Sequence, residues 1–392
     1  MGPADRRNIM IFIREGTHVY QLLSLLACTG EYPVQAVHLL GSERTWKALI
    51  QKLTKPQDFC LKESGKRHRC RMLTISGNGK YRTIRLHASA LVLLEMMDPN
   101  AYRYYMEHFD KHHFSGNQYH VERNHRIAEA FAMCSNAGVE ARPYQLPAPR
   151  NRDIRFRENT RPIFYLSRSL KNFWQGEMNK TKFSRMVGAI LYGHNCYMVY
   201  NSRDALMKWN GEGESKVQNY LSSAWSFGWP GFKIDSAILF GRDYLVAMRT
   251  LEEVSRTRRF DKCFYSVYSH IHFIPMNELG VKMIQTITVE NWRNEHLCML
   301  YGEESLDNTC RSFEYDVWQD GKVYCSHLDG DLCRLIRVRE ILRNRPDIKY
   351  QITCYPEQLP MLQEYLTEFR GKGRVAFDTV TIDQVCEYLF DL

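Results

Sequence analysis

The spacing of apolar residues changes period once within the first ninety residues, at Pro56. Before Pro56, apolar residues recur every three or four positions in residues 17–29 and 42–55, which predicts two amphipathic helices. A short helix is predicted between them, at residues 33–40, and Gly41 allows a tight turn before the next helix. After Pro56 the apolar residues alternate, as in strands. The predicted order of elements is helix, short helix, turn, helix and hairpin. This is the order of a winged helix-turn-helix.

The ends of these helices carry the expected capping residues. Thr17 and Ser42 are predicted to cap the first and third helices, and Gly30 is predicted to end the first. The third helix has an apolar face formed by Trp46, Leu49, Ile50 and Leu53. Its opposite face carries Arg44, Thr45, Lys47, Lys52 and Lys55. A cationic helix in this position is the recognition helix of a helix-turn-helix, although contacts to bases and contacts to phosphates are equally compatible with its composition.

A basic hairpin is predicted to follow the third helix. The run FCLKESGKRHRCRMLTIS predicts two strands around a tip at residues 63–67, and a second turn at residues 77–80 leads into a further strand. A Lys- and Arg-rich wing suits contacts to phosphates. The candidate DNA-binding residues of the helix and the wing are Ser42, Arg44, Thr45, Lys47, Lys52, Lys62, Lys66, Arg67 and Arg69. Arg71 lies close to the same hairpin.

The positive charge of the chain is confined to this segment. The formal net charge of the whole chain is +9. Residues 1–90 carry 15 Lys and Arg against 6 Asp and Glu, whereas the remaining residues carry 38 of each kind. Such a distribution indicates a nucleic-acid-binding module joined to a neutral body. The alternative is a basic, solvated surface on a module that binds another protein.

The run QLLSLLACTGEYPVQAVHLLGSERTWKALIQKL, followed by a basic hairpin and a long helical segment, resembles the replication-relaxation family of plasmid and mobile-element proteins. HRIAEAFAMCSNAGVEARPYQ, residues 125–145, resembles the His-containing helix that follows the wing in that family. The resemblance covers about residues 1–145. It implies an accessory role in replication or transfer of a bacterial mobile element, with duplex DNA and other replication or transfer proteins as partners. The acidic motifs of that family's downstream region are not clear in this chain. The resemblance therefore gives no basis for predicting catalysis or a cofactor.

The length of 392 residues exceeds one ordinary core, and four segments are predicted. They are a winged helix-turn-helix at 1–90, a helical connector at 91–150, a mixed α/β domain with hairpins at 151–310 and a parallel α/β unit at 311–392. The predicted fold class is therefore mixed α+β, with an N-terminal winged helix-turn-helix, an α/β body and a final β-α-β unit.

Several elements of the body follow from local patterns. Residues 87–113 predict two helices with a break at Asp98-Pro99. Hairpins are predicted around residues 193–195 and again around residues 241–243, as a possible internal repeat. The runs YSHIHFIPM and KMIQTITVE both predict buried strands, and the last seventy residues alternate strand and helix.

A metal-dependent nuclease is the main alternative function, with two candidate sites. Glu214-Ser215-Lys216, with Asp204 before it, has the E-x-K form of a nuclease triplet, but it opens a predicted helix rather than lying on a strand. Asp329 and Asp331 follow a predicted strand and could hold a divalent cation. They also suit a turn and a helix cap. The arginines after them are expected on the exposed face of that helix: Arg334, Arg337, Arg339, Arg343 and Arg345.

Other site classes have little support in the sequence. The twelve cysteines form no C-x-x-C pair, so no zinc site is predicted and they are expected to be reduced core thiols. His108 and His112 lie four residues apart and would need a third ligand such as His120 to bind a metal. No phosphate-binding loop or Ser/Cys–His nucleophile signature is present.

The expected compartment and assembly state follow from features that the sequence lacks. No run of about 18 apolar residues and no secretory signal is present, which favours a cytoplasmic protein without membrane contact. The helices at 87–113 are candidates for a homodimer contact, although no heptad repeat supports one.

Overall fold

The computed structural model describes most of the chain, and this part folds into two compact units. The described residues are 10–109, 117–149, 161–171, 185–193, 195–206, 212–226, 234–257, 267–303, 313–319 and 321–390. The first unit comprises residues 1–136 and 141–147, and the second comprises residues 137–140 and 148–392. The described elements form a mixed α+β protein, which confirms the mixed α+β class predicted from the sequence.

The first unit combines short helices with two small sheets. Its helices are α1 (His18–Thr29), α2 (Glu43–Leu53), α3 (Leu91–Met97), α4 (Pro99–His108) and α5 (Gln118–Asn136). Its strands are β1 (Ile11–Ile13), β2 (Glu31–Pro33), β3 (Gln57–Leu61), β4 (Arg67–Cys70), β5 (Leu73–Ser76) and β6 (Thr83–Leu86). Three short 3-10 helices lie at Val34–Leu40, Gly79–Tyr81 and Ala88–Ala90.

The predicted ends of α1 are confirmed, and α2 begins where it was expected. The Thr17 hydroxyl accepts a hydrogen bond from the backbone N–H of Tyr20 at 3.4 Å, and Gly30 ends α1 with a φ of 74°. Ser42 occupies the N-cap position of α2, but its side chain makes no capping bond to that helix. It accepts instead from the Thr45 hydroxyl at 3.1 Å. The capping function predicted for Ser42 is therefore wrong.

Strand β2 was not predicted, because three residues are too few to show an alternating pattern. The predicted short helix from Pro33 is a 3-10 helix, and Pro33 itself is the last residue of β2. The Tyr32 side chain of this strand is fully buried, and its hydroxyl donates to the backbone oxygen of Ala36 at 2.8 Å. This bond ties the strand to the helix that follows it.

The region after α2 forms two hairpins rather than the single wing predicted. Strands β3 and β4 pair antiparallel around residues 62–66, and β1 joins β3 in parallel. Strands β5 and β6 pair antiparallel around residues 77–82, and β2 joins β6. The two hairpins belong to different sheets, β1-β3-β4 and β2-β6-β5. The alternating pattern runs through both hairpins and does not show that the sheet changes at Arg71 and Met72.

The helices after the hairpins follow the prediction closely. Helix α3 ends at Met97, and the Asp98 carboxylate caps α4 by accepting from the backbone N–H groups of Asn100 and Ala101. The Asp-Pro break is therefore confirmed, and its physical reason is that Pro99 is tolerated in the first turn of a helix. Helix α5 begins at Gln118, seven residues before the predicted start.

The second unit contains a five-stranded and a four-stranded sheet. Its strands are β7 (Ile163–Leu166), β8 (Met186–Tyr192), β9 (Asn195–Arg203), β10 (Ser236–Gly241), β11 (His270–Pro275), β12 (Val317–Gln319), β13 (Lys322–Ser326), β14 (Tyr350–Cys354) and β15 (Val375–Thr379). Its helices are α6 (Ser167–Lys171), α7 (Glu212–Ser226), α8 (Tyr244–Thr257), α9 (Glu278–Ile287), α10 (Trp292–Tyr301), α11 (Leu332–Asn344), α12 (Leu359–Tyr365), α13 (Thr367–Arg370) and α14 (Ile382–Phe390).

The five-stranded sheet confirms one predicted hairpin and contradicts the other. Its order is β11-β10-β9-β8-β7; β8 and β9 form the first predicted hairpin, whereas β9, β10 and β11 are parallel. The predicted second hairpin is wrong because residues 244–257 are helix α8, so the suggested repeat also fails. Asp243 begins α8 by accepting from the N–H groups of Leu245 and Val246, and the buried positions Val246, Thr250 and Leu251 have a helical spacing.

The run KMIQTITVE was predicted as a strand, and this prediction is also wrong. Most of it lies in helix α9, whose N-cap Asn277 accepts from the N–H of Gly280 at 3.1 Å. The β-branched residues that favoured a strand are buried on one side of the helix, as Ile284 and Ile287 show. Burial within the unit outweighs the weak local preference of these residues.

The predicted parallel α/β unit at the C-terminal end is confirmed. Strands β13, β14 and β15 are parallel neighbours, and α11 and α12–α13 connect them. The loop of residues 327–331 after β13 reaches the five-stranded sheet, where Phe273 N–H donates to the Gly330 oxygen at 2.9 Å. Gly330 has a φ of 67°, and a Cβ there would lie 2.5 Å from the Phe273 oxygen, so only glycine fits this contact.

Two global expectations concern thiols and membranes. The ten described cysteines are free thiols, and all except Cys298 are buried, as expected for core residues. Within the described ranges, no helix combines the length and apolar character needed to cross a bilayer.

Candidate nucleic-acid interface

Helix α2 has one buried face and one exposed, cationic face. Trp46, Ile50 and Leu53 are buried, at the spacing of a helical stripe. Burial of each such side chain stabilises the unit by about 1.5–3 kcal/mol, so this face fixes the rotation of the helix. The opposite face presents the predicted contact residues, all of which are exposed: Ser42, Arg44, Thr45, Lys47 and Lys52.

The cations of this face differ in how far they are neutralised. Lys47 Nζ lies 2.6 Å from Glu43 Oε1 one turn away, so part of its charge is compensated within the helix. Arg44 and Lys52 form no ion pair with any carboxylate of the described part of the chain. These two side chains therefore carry most of the uncompensated charge of α2.

The tip of the first hairpin is a second cluster of exposed cations. Gly65 allows the turn, with a φ of 66° and its N–H bonded to the Leu61 oxygen at 2.8 Å. The predicted contact residues here are all exposed: Lys62, Lys66, Arg67 and Arg69. Arg69 Nε lies 3.9 Å from Asp58 Oδ1, so its charge is partly compensated, and Glu63 at the tip is also exposed. The positive charge of this tip rests mainly on the other three.

The second hairpin carries exposed cations that the sequence analysis did not include among the contact residues. Lys80, Tyr81 and Arg82 are exposed at its tip, and Lys80 Nζ lies 5.2 Å from the centre of the Tyr81 ring. Gly77 has a φ of 81°, and a Cβ there would lie 2.5 Å from the Tyr81 oxygen, so the tip depends on this glycine. The Gly-Asn-Gly-Lys turn is the sequence signal of this tip, and Arg82 follows it two residues later.

A buried cluster of ionisable side chains joins β2 and β6, the second strand of this hairpin, to helix α5. The Glu31 carboxylate of β2 is fully buried, with one oxygen 2.8 Å from Arg85 Nε of β6 and the other 2.8 Å from His125 Nε2 of α5. Burial acts to raise the pKa of Glu31, but the hydrogen bond with His125 and the charge of Arg85 outweigh it and hold that pKa below its usual value. This cluster fixes β2 and β6 against α5.

The E-x-K triplet does not form a metal site. Glu214 and Lys216 lie on α7, as the predicted helix requires, and not on a strand. The Glu214 side chain is buried, with Oε1 3.6 Å from Arg185, whereas Asp204 is exposed and pairs with Arg242 at 3.0 Å. The two carboxylates thus have separate partners, and the nuclease alternative gains no support here.

The second candidate pair of carboxylates is occupied by hydrogen bonds. Asp331 Oδ1 accepts from the N–H groups of Cys333 and Ile271, both at 3.0 Å, and Oδ2 lies 2.7 Å from His270 Nδ1. Asp329 Oδ1 accepts from the N–H of Asp331 at 3.2 Å. Burial acts to raise the pKa of Asp331, but the hydrogen bond and charge of His270 outweigh it and hold that pKa well below its usual value. The capping interpretation of Asp331 is confirmed.

The arginines after Asp331 are not all exposed, which corrects the prediction for Arg334. Its guanidinium is buried and bonded to the Asp316 carboxylate, with Nε also 3.1 Å from Glu314 Oε1. Arg337 is half-buried and pairs with Glu314 at 2.8 Å. The missed signal is the acidic pair Glu314 and Asp316 just before β12, whose contact with α11 the local helix pattern cannot show.

The predicted metal ligation by His108 and His112 lies partly outside the described residues, because His112 is among those not described. His108 Nδ1 lies 3.0 Å from the Tyr104 oxygen, and His120 is exposed on α5. Within the described ranges, no three His, Cys, Asp or Glu side chains are placed to share a metal ion.

Comparison with known proteins adds no relative: no family model, no curated protein and no solved structure matches this chain.

Proposed function

We propose that the first unit is a winged helix-turn-helix that binds duplex DNA. The order of its elements supports this: helix α1, strand β2, the 3-10 helix, helix α2 and the hairpin β5–β6, with β2 paired to β6. In this arrangement α2 takes the position of the recognition helix. The tip at residues 77–82 takes the position of the wing, and the hairpin β3–β4 is an additional basic element between them.

The observation that carries the proposal is the set of exposed cations on one small unit that form no ion pair with a carboxylate of the described residues. They lie on α2 and on both hairpin tips and are Arg44, Lys52, Lys62, Lys66, Arg67, Lys80 and Arg82. Backbone phosphates attract such groups whatever the base sequence, and the release of counterions supplies much of the binding free energy.

The proposed context is an accessory role in replication, transfer or transcription of a mobile element. The resemblance of residues 1–145 to the replication-relaxation family supports this context. The neutral charge balance outside residues 1–90 suits the second unit to a role other than phosphate binding, such as contact with other replication or transfer proteins.

Salt dependence provides the first test of DNA binding. If about six cations contact phosphates, the plot of log affinity against log salt has a slope of about −5, and affinity falls about 1000-fold between 50 and 200 mM salt. Fluorescence anisotropy of a labelled 20-base-pair duplex measures this slope. A slope close to zero contradicts phosphate binding and favours a protein-binding adaptor.

The two hairpin tips can be tested separately. The double variants Lys80→Ala/Arg82→Ala and Lys66→Ala/Arg67→Ala are each expected to weaken binding about 10-fold on every duplex and to reduce the salt slope by about 2, because each removes two phosphate contacts. The matched control is Lys322→Ala/Lys349→Ala, which removes two exposed lysines of the second unit. If both tip variants bind as tightly as this control, the hairpins do not contact DNA.

A further inference from the structure

Two histidines in the second unit are buried without hydrogen-bond partners. The His296 side chain is 2 % exposed and that of His327 is 1 % exposed. Neither ring nitrogen of His327 has a partner among the described residues, and His296 Nε2 also lacks one. Buried polar atoms are nearly always paired, so three buried nitrogens without a partner among the described residues need an explanation.

Charged groups from three elements surround these rings. His327 faces the carboxylates of Asp329 and Asp331 in its own loop, the guanidinium of Arg334 on α11 and the ring of His272 on β11.

His296 on α10 faces Asp329 as well, and the Trp292 ring lies between it and His272, at 5.5 and 5.9 Å from their ring centres. Arg293, also on α10, acts on Asp329. One carboxylate therefore lies near both unpartnered rings.

The loop that contains His327 is hydrogen-bonded to both sheets of the second unit. Three backbone bonds hold it: His327 N–H to the Thr353 oxygen at 2.8 Å, Gly330 N–H to the His327 oxygen at 3.0 Å and Phe273 N–H to the Gly330 oxygen at 2.9 Å. The Gln358 amide also donates to the His327 oxygen at 3.0 Å. A change at His327 therefore acts directly on the hydrogen bonds that connect the loop to the two sheets.

We propose that the loop of residues 327–331 is an acid-released clasp, which opens when His296 and His327 take up protons from solvent. A protonated imidazole at either position would carry a buried charge without a hydrogen-bond acceptor. Asp329 Oδ1 accepts from the Asp331 N–H and its Oδ2 lies 3.6 Å from His272 Nδ1, so in the closed loop this carboxylate is hydrogen-bonded to neither unpartnered ring. Opening the loop relieves the cost of the buried charge by exposing the imidazolium to water.

The direction of the pH effect follows from burial. Burial lowers the pKa of both His296 and His327 from 6.5 to about 4 in the closed structure. Between these values the open state binds more protons than the closed state, so opening becomes more favourable as the pH falls from about 6.5 to about 4. Each histidine raises the opening equilibrium constant about tenfold per pH unit in this window, and the pair about 100-fold.

Hydrogen exchange of the full-length protein without DNA tests the clasp. Amide protection at Phe273, His327 and Gly330, corrected for intrinsic exchange rates, is followed by mass spectrometry from pH 7 to pH 4. Protection at these amides is expected to fall about 100-fold per pH unit between about pH 6.5 and pH 4. Peptides covering β5 and β6 in the first unit serve as the internal reference.

The decisive comparison is with variants that cannot take up the protons. His296→Leu/His327→Leu is expected to lose most of the pH dependence and to be at least as protected as the native protein at pH 7, since no hydrogen bond is lost. His296→Gln/His327→Gln checks the result should leucine pack poorly. His120→Leu, which removes an exposed histidine of the first unit, is expected to keep the native pH dependence.

Equal pH dependence in the native protein and both double variants overturns the proposal. A strong loss of protection at pH 7 in both double variants also overturns it, because that result would mean that the histidine rings have a structural partner. Since no DNA is present, neither outcome bears on the function proposed for the first unit.

Discussion

The double variant Arg44→Glu/Lys52→Glu is expected to bind duplex DNA about 100-fold more weakly than the native protein. Each substitution replaces an attraction to the phosphate backbone with a repulsion, and a loss of about 1.4 kcal/mol at each position accounts for this factor. Both side chains lie on the exposed face of α2 and have no ion pair with a described carboxylate, so no internal bridge is broken. Anisotropy titration at fixed salt measures the change.

The control for this prediction has the same change in net charge. Lys322→Glu/Lys349→Glu alters exposed lysines of the second unit and is expected to change affinity by less than about threefold, because neither lysine belongs to the proposed interface and charges without a direct phosphate contact are largely screened by salt. Circular dichroism should show that both variants remain folded. Equal losses in the two variants would mean that net charge, rather than the face of α2, determines binding.

The variant Asp316→Ala is expected to lower the free energy of unfolding of the second unit by about 3–5 kcal/mol. Asp316 is fully buried, its carboxylate bonds to the guanidinium of Arg334 and its other oxygen accepts from the Ser326 N–H at 2.7 Å. Removing the carboxylate leaves a buried arginine with only part of its compensation. Denaturant titration followed by tryptophan fluorescence measures the loss, since six of the seven tryptophans lie in this unit.

The partner substitution separates an unpaired charge from a simple loss of packing. In Asp316→Leu/Arg334→Met both charges are replaced by apolar groups, and the protein is expected to regain most of the lost stability. If the double variant is as unstable as Asp316→Ala, the loss at Asp316 comes from the Ser326 bond or from packing, and the ion pair has little net effect.

The parts of the fold that could be predicted are those with long, regular patterns or with a strong local signal. Helix α1 has both, because Thr17 and Gly30 mark its ends and a leucine-rich face lies between them. The Asp98-Pro99 break and the parallel C-terminal strands were predictable for the same reason. In each case the local preference and the burial in the folded unit agree.

The errors occur where tertiary burial overrides a short pattern. Residues 244–251 contain enough apolar residues to read as a strand after Gly241, yet Asp243 caps a helix there. Strand β2 has three residues, which cannot show a period, and it is defined by its pairing with β6. No local property of β2 contains this information, whereas in residues 244–251 the Asp243 cap and the helical spacing of the buried positions compete with the strand-like composition.

The candidate sites also contain some residues whose environment the sequence predicts and others whose environment it does not. Every predicted contact residue is exposed in the first unit, because charged residues opposite an apolar stripe have little alternative. The prediction failed for Arg334, whose burial depends on Asp316 from a distant part of the chain. It also missed Lys80 and Arg82, because the sequence does not show that β6 pairs with both β5 and β2 and that the turn before β6 presents both cations.

Helix α5 determines how much of the chain a fusion protein must contain to carry the proposed DNA-binding unit. Asn124 donates to the Thr29 oxygen at 2.9 Å, His125 pairs with buried Glu31, and Asn136 donates to the Leu39 oxygen at 2.6 Å. A fragment cut at residue 90 would keep every cation but leave Glu31 without one of its partners and the core side of α1 open to water. The smallest cassette that a gene fusion could transplant therefore extends to about residue 147, where the first unit ends.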